Sequence, residues 1–169
     1  MNNRMITKLA IFVILITLLL VGCGTTKTVG MGTPVANSLL EVTVNKAHIE
    51  EELVSKNGVQ KPPESTTIIM VDVHIRVLEE VQKAEINLGE IAIRGSKDEL
   101  LYGVRGFGSS APGEPIWLEN SFQGFSITLD ADEELDVSLV FLVNDDAIEQ
   151  TFKFKFLDMK TVQLTINGE

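Results

Sequence analysis

The sequence predicts an all-β domain, an immunoglobulin-like antiparallel β-sandwich of about seven to nine strands. Three observations carry the prediction. From residue 39 onward the dominant apolar period is two, as a half-buried antiparallel strand requires. Turn-forming clusters recur between the candidate strands: Asn57-Gly58, Pro62-Pro63, Gly95-Ser96, the stretch 106–115, 130–134 and 144–146. No segment offers three turns of clean helical period, and one short turn near 145–150 is the most helix expected.

The strands follow in order. Segment 39–45 sets Val42 and Val44 against Glu41, Thr43 and Asn45. Segment 67–77 places Ile69, Val71, Val73, Ile75 and Val77 on one face and Met70, Asp72, His74 and Arg76 on the other. Less regular candidates lie at 86–94, 99–104 and 123–129. Segment 135–143, LDVSLVFLV, is apolar on both faces and predicts a central strand covered on each side. Segment 151–157 alternates Phe152, Phe154 and Phe156 with Thr151, Lys153 and Lys155. Val162, Leu164 and Ile166 close the pattern. A domain of this size buries roughly two-thirds of its unfolded surface, enough for a core without disulfides.

The first residues read as an address. Arg4 and Lys8 precede 14 uncharged, mostly apolar residues at 9–22. A bilayer span needs about 20 such residues, so this stretch predicts a signal-peptide h-region. It ends in Leu20-Val21-Gly22-Cys23, which resembles the lipobox of bacterial lipoproteins. The resemblance implies cleavage after Gly22 and a diacylglyceryl thioether on Cys23, the one cysteine of the chain. Two acyl chains hold a protein to a membrane where one holds only marginally. The expected organisation is a signal peptide at 1–22, the lipidated Cys23 and a Gly/Thr/Ser-rich tether to 38, and one domain at 39–169. A tether of this kind reaches roughly 20 Å root-mean-square. Loss of Arg4 and Lys8 leaves 12 basic against 24 acidic side chains, a net charge of −12.

The charge excludes a typical nucleic-acid binder, which needs Lys and Arg to replace the counterions of phosphates. A single cysteine excludes an intrachain disulfide and a cysteine zinc site.

The order of features is similar to a widespread domain family of unknown function on secreted lipoproteins of Gram-positive bacteria. The lipobox and tether precede a strand at 39–44. Then follow a variable loop at 54–66, the run Ile68-Ile69-Met70-Val71-Asp72-Val73-His74-Ile75, the segment 91–102, and Ser138-Leu139-Val140-Phe141-Leu142-Val143. The resemblance covers about 39–167 and implies an immunoglobulin-like sandwich with no catalytic residues to assign. The sequence departs from the family at Asp130-Ala131-Asp132-Glu133-Glu134, where a Pro-Gly-acid turn is usual.

Candidate chemistry is sparse. Tyr102, Phe107 and Trp117 bracket a Gly/Pro-rich loop at 103–117. Aromatic side chains on the loops of a rigid scaffold suit partner binding, unless Tyr102 and Trp117 face the core and the loop merely connects. His48 and His74 are the only histidines; they are expected as exposed strand residues. They approach a copper or zinc site only if their strands pair so as to bring them together. The acidic turn with Asp130 and Asp132 is expected to be solvated, with calcium the alternative; it lacks the EF-hand order. There is no Gly-x-Ser-x-Gly elbow around Ser109-Ser110. The expectation is a non-catalytic, cofactor-free lipoprotein on the extracytoplasmic face of the cell membrane. It is held to the lipid bilayer by acylated Cys23 and binds a protein or envelope component. The alternatives are a copper- or calcium-handling envelope protein and a receptor for a small ligand or cell-wall fragment.

Overall fold

The structure is a computed structural model and describes residues 28–55, 58–95, 100–111, 115–118, 123–148 and 151–166. Leu20, Val21, Gly22 and Cys23, expected as a lipobox, lie outside the described residues.

The strands are, in chain order, β1 (Val29–Gly30), β2 (Val35–Ala36), β3 (Leu40–Glu50), β4 (Leu53–Ser55), β5 (Gly58–Gln60), β6 (Thr66–Val77) and β7 (Lys83–Asn87). There follow β8 (Ala92–Gly95), β9 (Leu101–Ser109), β10 (Trp117–Leu118), β11 (Ser126–Asp130), β12 (Glu134–Asn144), β13 (Thr151–Lys155) and β14 (Val162–Thr165). Two short 3₁₀ turns, Leu88–Glu90 and Asp145–Ala147, complete them.

One sheet runs β2-β3-β6-β12-β9 and the other β9-β8-β13-β14-β1. Strand β9 belongs to both. Its first residues, Leu101 to Gly103, pair with β8, and Val104 and Gly106 to Ser109 pair with β12. The long strands β3-β6-β12-β9 thus face β8-β13-β14, all pairs antiparallel. This four-against-three order is that of an immunoglobulin-like sandwich.

Period-two alternation places the core between the sheets. Ile69, Val71, Val73, Ile75 and Val77 of β6 are buried there, opposite Phe152, Phe154 and Phe156. Phe154 meets Phe141 edge-to-face, with centroids 6.4 Å apart, and Phe156 at 6.0 Å. Each such ring contributes roughly 1.5–3 kcal/mol through apolar burial. The ribbon of β7 and β11 adds Ala84, Ile86 and Leu129 to the same core.

Four local expectations change. The tether does not extend unstructured to 38: within 28–38, β1 lies parallel to β14 and β2 pairs with β3. The apolar side chains supply the reason, because Val35 is buried and Val29 and Met31 pack against the core. Strand β3 runs on to Glu50 through a bulge at Asn45, which has no partner between Val44↔Val73 and Lys46↔Asp72. The bulge shifts the alternation, so Ala47 turns inward after Val42 and Val44. The segment 86–94 is not one strand. The Asn87 side chain accepts a hydrogen bond from the Gly89 amide at 3.0 Å and caps a 3₁₀ turn between β7 and β8. Finally, the glycine-rich stretch from 103 is strand as far as Ser109.

Candidate functional site

The outer face of the first sheet changes character along its length. The β6–β12 register pairs outward residues as Arg76 with Glu134, His74 with Asp136, Asp72 with Ser138, Met70 with Val140, and Ile68 with Leu142. One end is charged and the other apolar.

The charged end satisfies itself. Arg76 donates to Glu41 at 2.9 Å, and His74 Nδ1 lies 2.9 Å from Asp136. The buried Ser138 hydroxyl donates to Asp72.

The apolar end is roofed by two pieces of chain. The β4–β5 hairpin brings Leu53, and the segment at β10 brings Ile116 and Leu118. With Ile68 and Val140 they form a second, smaller core, in which Leu53 and Ile116 are only 4% and 5% exposed. The two pieces are tied together: the Ile116 amide donates to the Val54 carbonyl at 2.8 Å. Within the hairpin, the Ser55 hydroxyl donates to the Gly58 carbonyl at 2.9 Å.

Glycines at 106 and 108 allow this arrangement. A Cβ at Gly106 would lie 2.5 Å from Leu118 Cδ2, and one at Gly108 would lie 2.9 Å from Ile116 Cδ1. The expected 103–117 loop is therefore strand as far as Ser109, and Gly106 and Gly108 serve close packing across β9 rather than chain flexibility.

Beside this roof lies a groove of about 830 Å³, within the range of ligand pockets. Its apolar lining includes Ile68, Val140, Leu142 and Leu118. Tyr102, Trp117, Lys61, Arg105, Thr66 and Asn144 also line it. Arg105 owes its place to a second bulge: it has no partner between Val140↔Gly106 and Phe141↔Val104. Bulges commonly re-aim a side chain at a functional edge.

Of the aromatic residues picked from sequence, the structure brings Tyr102 and Trp117 to this groove, although Tyr102 is half-buried and also packs against the main core, as the alternative reading expected of it. Trp117 is 42% exposed. Phe107 does not line it; it packs on the main core, with its ring 5.3 Å from that of Trp117. Phe125, unnoticed in the sequence, meets the Trp117 indole edge-on, with ring centroids 5.5 Å apart. Arg105 and Lys61 were also missed. Their only signal was the two-faced apolarity of 135–143, which requires an outer covering but does not say which residues provide it.

The histidines are not brought together. His48 sits opposite Met70, while His74 sits opposite Thr43 and Asp136. Four positions along β6 separate those rows, roughly 13 Å at the rise of a strand. The pairing that a shared copper or zinc ion would need is overturned by this register. His48 Nε2 lies 2.9 Å from Glu50, and its Nδ1 is buried without a partner among the described residues. Asp130 and Asp132 lie at the β11–β12 turn, where the Glu133 carboxylate accepts from the Asp130 amide at 2.8 Å. Asp132 holds a left-handed φ of 61°. Among the described residues no group of three or more His, Cys, Asp or Glu could hold a metal ion.

No protein-family model matches the chain, and no curated protein matches it. Solved structures do. An uncharacterized β-sandwich protein from Clostridium difficile 630 is 16% identical with a TM-score of 0.55, over 82% of this chain and 93% of that one. A conserved hypothetical protein from Bacillus anthracis is 13% identical with a TM-score of 0.53, over 82% of this chain and 96% of that one. At such identities the likeness is one of fold: the chain is similar to these proteins as a β-sandwich.

Proposed function

We propose that the chain is a non-catalytic binding module of the cell envelope, held at the extracytoplasmic face of the membrane by lipid on Cys23. The groove on the outer face of the β6–β12 sheet receives its ligand or partner. The groove is the observation that carries this reading. It joins the partly exposed Leu118 and Leu142, two aromatic residues and a polar rim in a volume of about 830 Å³, a size and a mixture of contacts that suit a bound ligand. The sandwich hosts many roles and favours none by itself. The anchor is supported by the sequence Leu20-Val21-Gly22-Cys23 at the end of the apolar stretch. Net negative charge over the rest of the chain leaves attachment to acyl chains rather than to basic residues.

Cross-linking in intact cells tests the reading. Native protein is expected in the membrane fraction, with one enriched partner. Cys23→Ala is expected in the soluble fraction, with that partner lost. Membrane retention of Cys23→Ala would overturn the anchor, and an unchanged partner would overturn the need for it.

A further inference from the structure

We infer, resting on the groove as the binding site, that its ligand is a small anionic amphiphile: an apolar body carrying one acidic head group. Three observations carry this. The accessible apolar part of the floor is Leu142 and Leu118, flanked by Tyr102 and Trp117 and lying over the buried Ile68 and Val140, and an apolar body displaces water from it. Among the described residues lining the groove, the only charged side chains are Lys61 and Arg105, both cations. This stands out in a chain with 24 acidic and 14 basic residues. Neither cation is neutralised by a salt bridge among the described residues, whereas Arg76 on the same sheet is held by Glu41.

The position of Arg105 adds to the case. Regular alternation gives β9 no outward residue but glycine opposite Ser138 and Val140, since their partners are Gly108 and Gly106. The bulge inserts an arginine beside these glycines. Guanidinium and ammonium groups bind an acidic head through charge-assisted hydrogen bonds, the strong class of such bonds. A cationic amphiphile would be repelled by both charged side chains, and a neutral one would gain the floor and the uncharged polar groups without a charge-assisted bond. Charge at the rim and apolarity on the floor together select one class of occupant.

The test uses three probes with the same alkyl body: decanoate, decylammonium and 1-decanol. Binding is read from the emission of Trp117, the single tryptophan of the chain, which lines the groove. Decanoate is expected to bind about tenfold or more tighter than the other two, as a charge-assisted hydrogen bond of ordinary strength gives. The double variant Lys61→Gln, Arg105→Gln replaces two exposed residues. It is expected to lose that preference while binding 1-decanol as before. Equal affinities for the three probes would overturn the inference and leave the groove standing as a site. Preference for decanoate that survives in the double variant would also overturn it. Binding of none of the three would remove both the inference and the groove reading. A second copy of this chain as the occupant would show as doubled mass in light scattering with no decanoate response, and would likewise overturn it.

Discussion

Replacing Gly108 by alanine is expected to push β10 off β9 and destabilise the domain. The added Cβ would lie 2.9 Å from Ile116 Cδ1, 3.1 Å from the Pro115 carbonyl oxygen and 3.2 Å from Ile116 Cα. The first contact is a side-chain tip and can move. The other two are backbone, and that backbone is pinned by the Ile116-to-Val54 hydrogen bond of 2.8 Å. Rotamer changes therefore cannot absorb the crowding. An extra methyl in such a place costs about 1–3 kcal/mol. Gly106→Ala meets Leu118 Cδ2 at 2.5 Å and the Trp117 carbonyl oxygen at 3.1 Å, and is expected to cost a similar amount.

Gly103 provides the contrast on the same strand. A Cβ there has nothing within 4 Å, and its φ lies outside the left-handed region. Gly103→Ala is then expected to be neutral or to regain up to about 0.5–1 kcal/mol of the entropy that glycine loses in a strand. Thermal unfolding by circular dichroism reads the difference, at roughly 3–5 °C per kcal/mol for a domain of this size. Trp117 emission in the native state reports locally on β10. Equal losses from all three alanines, or a Gly108→Ala protein with unchanged melting and unchanged emission, would refute the packing argument.

Other substitutions test other levels. Phe154→Ala removes a fully buried ring that touches Phe141 and Phe156; urea unfolding should show a loss of about 3–5 kcal/mol. Asp72→Ala strands the buried Ser138 hydroxyl and should cost about 1–3 kcal/mol. Ser138→Ala added to Asp72→Ala should cost less than the sum of the two single changes, a coupling that a double-mutant cycle measures. At the left-handed Asp132, Asp132→Val should lower stability by about 1–2 kcal/mol. Asp132→Gly should leave stability unchanged or raise it; urea midpoints separate the two.

Much of the sandwich was legible because period two needs only local sequence. Ile69 through Val77 and Phe152 through Phe156 take the faces their spacing predicts. Strand β3 was legible only to Asn45, since the bulge there reverses which residues face inward. Segment 86–94 hid its break because Asn87, Leu88 and Gly89 fit a strand fragment as well as a capped turn. The stretch after 103 misled in the opposite sense. Glycine signals a loop, yet Gly106 and Gly108 are strand residues that make room for Leu118 and Ile116.

The candidate site was half legible. Tyr102 and Trp117 drew notice as aromatics near glycines, and the structure sets them at one groove. Lys61 and Arg105 did not, because their meeting depends on a long-range register and on a bulge that alternation does not announce. The resemblance to a lipobox needs no fold to be read, since it lies in four adjacent residues, Leu20 to Cys23.

The most direct test of the groove as the binding site is photo-cross-linking from two positions of the full-length protein in intact cells. A benzophenone side chain replaces the exposed Pro63 at the groove in one variant, and the exposed Lys153 on the outer face of β13 in the other. A discrete adduct is expected from position 63 and none from position 153. An adduct from position 153 alone, or equal yields from both, would contradict it.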